Sequence, residues 1–84
     1  MTLYDEIKEM IKAEFAVDDE AVVPEANLQD DMGADSLGLL NLAEAIDARY
    51  GLQLQGDDLV DIPNVGELVK LVESKIALKS KLSW

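Results

Sequence analysis

A chain of 84 residues, 49% hydrophobic and 30% charged, has the composition of one small globular domain rather than of a disordered segment. It contains neither cysteine nor histidine, which excludes disulfides, thiolate or imidazole metal sites, a cysteine nucleophile and the usual general base near pH 7. With 18 acids against 7 bases the net charge is −11, so nucleic acid and anionic membranes repel the chain and its partners are expected to be basic.

A domain of this size holds a small core and no deep enclosed pocket, which disfavours a self-contained enzyme. Its charge is unevenly spread: residues 1–62 carry 16 acids against Lys8, Lys12 and Arg49, while residues 63–84 carry Glu67 and Glu73 against four lysines. No apolar run exceeds three residues, and Met1-Thr2-Leu3-Tyr4-Asp5-Glu6 is not a basic segment leading into an apolar one. Neither a membrane span nor a signal segment is expected, and the location read from this is cytoplasmic.

Leu3, Ile7, Met10, Ile11 and Phe15 recur at helical spacing behind Thr2 as N-cap, which predicts a first helix over 3–15. Residues 16–33 hold two acidic clusters, Pro24 and Asn27 with little periodicity, and read as a long loop pinned by Val22, Val23 and Leu28. Leu39, Leu42, Ala43, Ile46 and Tyr50 form the inner stripe of a second helix over 36–50, stopped by Gly51. Leu37, Leu40, Asn41, Glu44, Asp47 and Ala48 fall toward its other side, where exposed leucines beside acids make a docking face for basic, partly apolar partners.

Leu52 and Leu54 alternate with glutamines, but between Gly51 and Gly56 they read as loop. Asp57–Asp61 allows one or two helical turns before Ile62-Pro63 interrupts it. Asn64 with Glu67 reads as a capping box for a last helix bearing Val65, Leu68, Val69, Val72 and Ile76 on one face. Residues 79–84 read as a frayed tail, leaving a single domain over 1–78.

Chemistry concentrates at Gly33-Ala34-Asp35-Ser36-Leu37, where the long loop meets the second helix. Ser36 or Asp35 can simply cap that helix, contributing about 0.5–2 kcal/mol. A nucleophile elbow is excluded, because no histidine exists to activate the serine and no strand feeds the turn. The third reading makes Ser36 a modification acceptor whose activating base belongs to another enzyme. The calcium-loop pattern fails as well, since Met32 and Ala34 stand at the third and fifth positions counted from Asp30, and no metal site is expected.

The stretch Asp31 to Gly51, with Gly33-Ala34-Asp35-Ser36-Leu37 at its start, resembles the carrier-site region of acyl carrier proteins, and residues 1–77 follow that family's ordering of helices and loops. The resemblance implies an all-α fold, a small four-helix bundle of three main helices and one short helix. It implies that a phosphopantetheinyl transferase attaches 4′-phosphopantetheine from coenzyme A to Ser36, that the chain carries acyl groups as thioesters for acyl-loading, elongating or acyltransferase enzymes, and that it is not itself an enzyme. Asp35 would help place the transferase's metal and basic groups, with Asp30 and Asp31 adding to the field, and Leu37 would offer an apolar contact beside the arm. An attached chain would slip among side chains such as Leu42, Ile46, Leu54, Ile62, Leu68 and Leu71, which ordinary core packing explains equally well.

Gly38, Asn41 and Glu44 stand where many fatty-acid-synthesis carriers have an acid, a second acid and an apolar residue, and the second helix carries a net of only −1. These departures point to a specialised lipid or secondary-metabolite carrier, monomeric by default. Gly38 should cost about 0.5–1 kcal/mol of helix stability and leave the helix start mobile, and Gln55-Gly56 should loosen the second loop. The rival reading is an acidic helical interaction module without a prosthetic group.

Overall fold

The computed structural model describes residues 2–82, with side-chain surroundings through residue 80. Thr2 opens the first helix, α1 (Leu3–Phe15), through a reciprocal capping box: its hydroxyl accepts the Asp5 amide at 3.2 Å and Asp5 Oδ2 accepts the Thr2 amide at 3.3 Å. Ile7 and Ile11 are fully buried, with Leu3, Met10 and Phe15 packed at the rim of the core. Ala16 ends the helix in the left-handed region at φ 53°.

The long loop is present but not featureless. It makes a single 3₁₀ turn at Asp19–Ala21, tethered to α1 by Lys8 and Lys12, which reach the Asp19 carboxylate at 3.3 and 3.2 Å. Val22 and Leu28 are buried as the sequence predicts, whereas Val23 is 40% exposed. Val22 has extended backbone, so the side chain after it points the opposite way. Ala26, Met32 and Ala34 provide the remaining anchors.

Asn27 is the hub of the loop. Its Oδ1 accepts the amides of Gln29 and Asp30, both at 2.8 Å, while its Nδ2 donates to the Pro63 carbonyl at 2.8 Å. Nearby carbonyls satisfy amides that a helix start leaves unpaired: Val65 donates to Ala26 O and Gly66 to Pro24 O, each at 2.9 Å. A β-carbon on Gly66 would stand 3.3 Å from that Pro24 oxygen, a tight contact that a side chain could make only if the loop gave way by a few tenths of an ångström.

The second helix, α2 (Ser36–Tyr50), buries Leu39, Leu42, Ala43 and Ile46 and is stopped by Gly51 at φ 65°. Leu52 and Leu54 are both buried without forming a strand, because Gln53 between them takes φ 55° and donates its amide to Asp47 Oδ1 at 2.8 Å. The short helix α3 (Gly56–Val60) is held at its start by the Gln55 amide on Asp58 Oδ2 at 2.9 Å and buries Leu59. A β-carbon on Gly56 would lie 3.2 Å from Leu40 Cα. The Gln55-Gly56 segment, expected to be loose, is thus capped and packed directly on the backbone of α2.

The last helix, α4 (Val65–Leu82), buries Val65, Leu68 and Val72. It continues beyond the predicted boundary: residues 79–82, expected as a frayed tail, are helical, and Lys79 Nζ donates to the Tyr50 carbonyl at 2.9 Å. That bond gives an orphan carbonyl at the end of α2 a cationic partner. Ser83 and Trp84, the rest of the predicted tail, lie outside the described residues.

Helix α1 packs against α2 and α4, and α2 packs most extensively against α3. The fold is the expected all-α bundle of three main helices and one short one, with no strand among the described residues. No helix among those residues is long and apolar enough to cross a membrane.

Candidate functional site

The chain arrives at Ser36 firmly held. Met32 and Ala34 are buried while Gly33 and Asp35 face outward, an alternation that anchors every second residue, and Ala34 donates its amide to Leu28 O at 2.9 Å. Gly33 supplies the positive φ, 68°, that turns the loop. Asp35 then takes extended backbone and its Oδ1 accepts the Gly38 amide at 2.8 Å. The capping that sequence left open between Asp35 and Ser36 falls to Asp35. Ser36 is the exposed first residue of α2.

A shallow groove of about 660 Å³ runs from Ser36 between α2 and α3. Besides Ser36, it is lined from α2 by Leu37, Leu40, Glu44 and Asp47, four of the six residues expected on the outer side; half-buried Asn41 and exposed Ala48 do not line it. Leu37 is 62% and Leu40 42% exposed, so the leucines do face solvent. The Asp47 carboxylate also holds the Gln53 turn. On the opposite wall stand Leu54, expected only as an acyl-pocket candidate, and Gln55, Gly56, Asp57 and Val60, for which the sequence suggests no site role. Val60 is 47% exposed, and only the register of a five-residue helix decides that it faces the groove while Leu59 faces the core.

Of the acyl-pocket candidates, Leu42, Ile46, Leu54 and Leu68 belong to the buried core, with Ile62 and Leu71 packed against it. Leu54 also lines the groove, so it stands between groove and core. Asp30 and Asp31 are exposed, and Asp31 Oδ2 accepts the Asn27 amide at 2.7 Å.

One of the ion pairs lies at the other end of α2, about 20 Å away for a helix of this length. There Glu6 Oε1 accepts Arg49 Nε at 3.0 Å, Arg49 Nη2 at 2.7 Å and the Tyr50 hydroxyl at 3.2 Å. The Arg49 hydrogen bonds hold the Glu6 carboxyl below its ordinary value, and partial burial pushes the Tyr50 hydroxyl up.

A solvated hydroxyl at a capped helix start, beside a groove of mixed leucine and acidic lining, can accept a group and present it; no imidazole or thiol in the chain can activate it. Such a site suits a carrier. The family described as phosphopantetheine attachment site matches residues 5–72. The chain is 35% identical over 74 residues to an acyl carrier protein of Thermotoga maritima, covering 88% of this chain and 91% of that one. It is 36% identical over 73 residues to acyl carrier proteins of two Helicobacter pylori strains, G27 and HPAG1, covering 87% of this chain and 94% of each relative. The chain belongs to the acyl carrier protein family, and 4′-phosphopantetheine is its expected covalent prosthetic group.

Proposed function

We propose that Ser36 is the attachment residue, and that the loaded chain delivers acyl groups to enzymes docking on the α2–α3 groove. The observation carrying this is that Ser36 stands exposed at the start of α2 while Asp35 does the capping, which leaves the serine hydroxyl available. In the transfer, Ser36 Oγ forms the new bond to phosphorus, the nucleotide portion of coenzyme A leaves with its phosphate, and a base of the transferase takes the serine proton. When attached, the prosthetic group supplies the thiol that this cysteine-free chain lacks. Leu37 and Leu40 offer the docking enzyme apolar anchors, and Glu44, Asp47 and Asp57 supply charge for a basic rim. A long acyl chain would pass Leu54 to reach Leu42, Ile46 and Leu68.

The low charge of α2 supports service to a specialised pathway: Glu44 and Asp47 face only Arg49, which is already bound to Glu6. Slow turnover with the standard fatty-acid elongation enzymes is the expected result, and rapid turnover overturns that part. The attachment itself is tested by intact mass after incubation with coenzyme A, Mg²⁺ and a broad-specificity phosphopantetheinyl transferase. One phosphopantetheine on Ser36, absent in Ser36→Ala, is expected. A folded, initially unmodified chain that several transferases leave unchanged would instead be an acidic interaction module.

A further inference from the structure

Gly38 reads from sequence as a weak point in the first turn of α2, yet the structure surrounds it. A β-carbon built there would stand 2.8 Å from Phe15 Cε1 and 3.3 Å from Asp35 Oδ1. The aromatic ring at the end of α1 therefore occupies the space a side chain at position 38 would need. The two neighbours act differently: Asp35 holds the Gly38 amide by a hydrogen bond of 2.8 Å, and the Phe15 ring closes the face where the side chain is missing.

We infer that Phe15 is a positioning residue for Ser36, acting through Gly38 as one half of a size-matched pair. The inference rests on Ser36 being the attachment residue. First-turn amides lack intrahelical carbonyl partners, so the turn that Ser36 opens frays unless something else holds it. The ring supplies that hold from an element 23 positions away in sequence, half-buried at the rim of the core. Fixing Gly38 fixes the turn, and the turn sets where the Ser36 hydroxyl stands when a transferase engages it. Phe15 does not line the α2–α3 groove, so its contribution is to the rate of the chemical step and not to docking.

The pair makes an unusual demand on mutation. Alanine is the better helix former at position 38, but its methyl group must displace the ring. Leucine at position 15 ends at Cδ, one bond short of the atom in the way, and makes room for that methyl group.

The test is the rate of Ser36 loading with coenzyme A, Mg²⁺ and a broad-specificity phosphopantetheinyl transferase, varying carrier concentration to separate kcat from KM, well below the melting temperature of every variant. Gly38→Ala is expected to lower kcat about three- to tenfold with KM unchanged within about twofold, since small misplacements of a reacting atom cost rate steeply. The double variant Phe15→Leu/Gly38→Ala is expected to recover kcat to within about twofold of the parent. Amide exchange at residues 37–39 should rise in Gly38→Ala and fall back in the double variant. The inference is overturned by a Gly38→Ala carrier loaded at the parental kcat, by a double variant as slow as the single one, or by an effect confined to KM. An unmodified parent chain overturns the Ser36 assignment itself, a failure separate from these.

Discussion

Replacing Asp35 by alanine removes the one side-chain bond that closes the start of α2, from Asp35 Oδ1 to the Gly38 amide at 2.8 Å. Losing such a cap costs about 0.5–2 kcal/mol, and because Asp35 is exposed, water replaces part of the lost bond and the middle of that range, about 1 kcal/mol, applies. For a domain of this size about 1 kcal/mol lowers Tm by roughly 4–8 °C. Asparagine keeps an oxygen in the same place and loses only the attraction between a carboxylate and the helix N-terminus, about 0.3–1 kcal/mol at low salt. Thermal unfolding followed at 222 nm, pH 7 and low salt, should therefore rank the chains parent, Asp35→Asn, Asp35→Ala. An alanine variant that melts with the parent would refute the capping argument. An asparagine variant as unstable as alanine would show that charge, and not the hydrogen bond, holds the helix start.

Leu42→Ala, at a fully buried position of α2, should cost about 2–5 kcal/mol, a large share of the stability of so small a domain, and urea unfolding should show a much lower midpoint. Asn27→Ala removes the acceptor of two loop amides and the donor to Pro63 O; a loss of about 1–2 kcal/mol is expected, with faster amide exchange at Gln29 and Asp30. Glu6 has a lowered value in the folded chain because Arg49 binds it, so its stabilisation is complete above the ordinary value near 4.5 and is lost as pH falls through the folded value. Glu6→Gln should accordingly flatten the fall of Tm between pH 6 and pH 3, and an unchanged slope would contradict the pairing.

The three main helices are legible because their apolar residues recur at helical spacing and some of their ends carry residues with one physical use, Thr2 as a cap and Gly51 as a left-handed stop, while the choice of Asp35 over Ser36 as the cap of α2 needs the geometry. Ser36 stands out as the candidate attachment residue because its neighbours form a motif and because cysteine and histidine are absent. The loop is not legible, since its order depends on partners far along the chain, such as Asn27 with Pro63 and Pro24 with Gly66. Val23 was misplaced for a local reason, adjacent residues in extended chain facing opposite ways. The far wall of the groove depended on the register of α3, which Asp57-Asp58-Leu59-Val60 does not determine without Leu40 beneath Gly56. The surroundings of Gly38 are not legible, because the ring that fills the space beside it comes from another helix.

The ion pairs carry one more consequence. All three cations of residues 1–62 are engaged with acids of α1 or of the 3₁₀ turn beside it: Lys8 with Asp19, Lys12 with Glu9 and Asp19, Arg49 with Glu6. The paired cations are thus gathered on the α1 side, where Asp5, Glu14, Asp18 and Glu20 still form no ion pair with a described residue, while none of Asp30, Asp35, Glu44 and Asp57 has a cation paired with it among the described residues. Separated charge of this kind is a permanent dipole moment, and in the field of a cationic protein a dipole feels a torque. The molecule is turned before contact, with the face that bears Ser36 leading, so that fewer encounters are wasted in the wrong orientation. Added salt shortens the reach of that torque to about 8–10 Å near physiological ionic strength, which makes the rate of productive encounter, more than the strength of the final contact, the quantity that ionic strength controls.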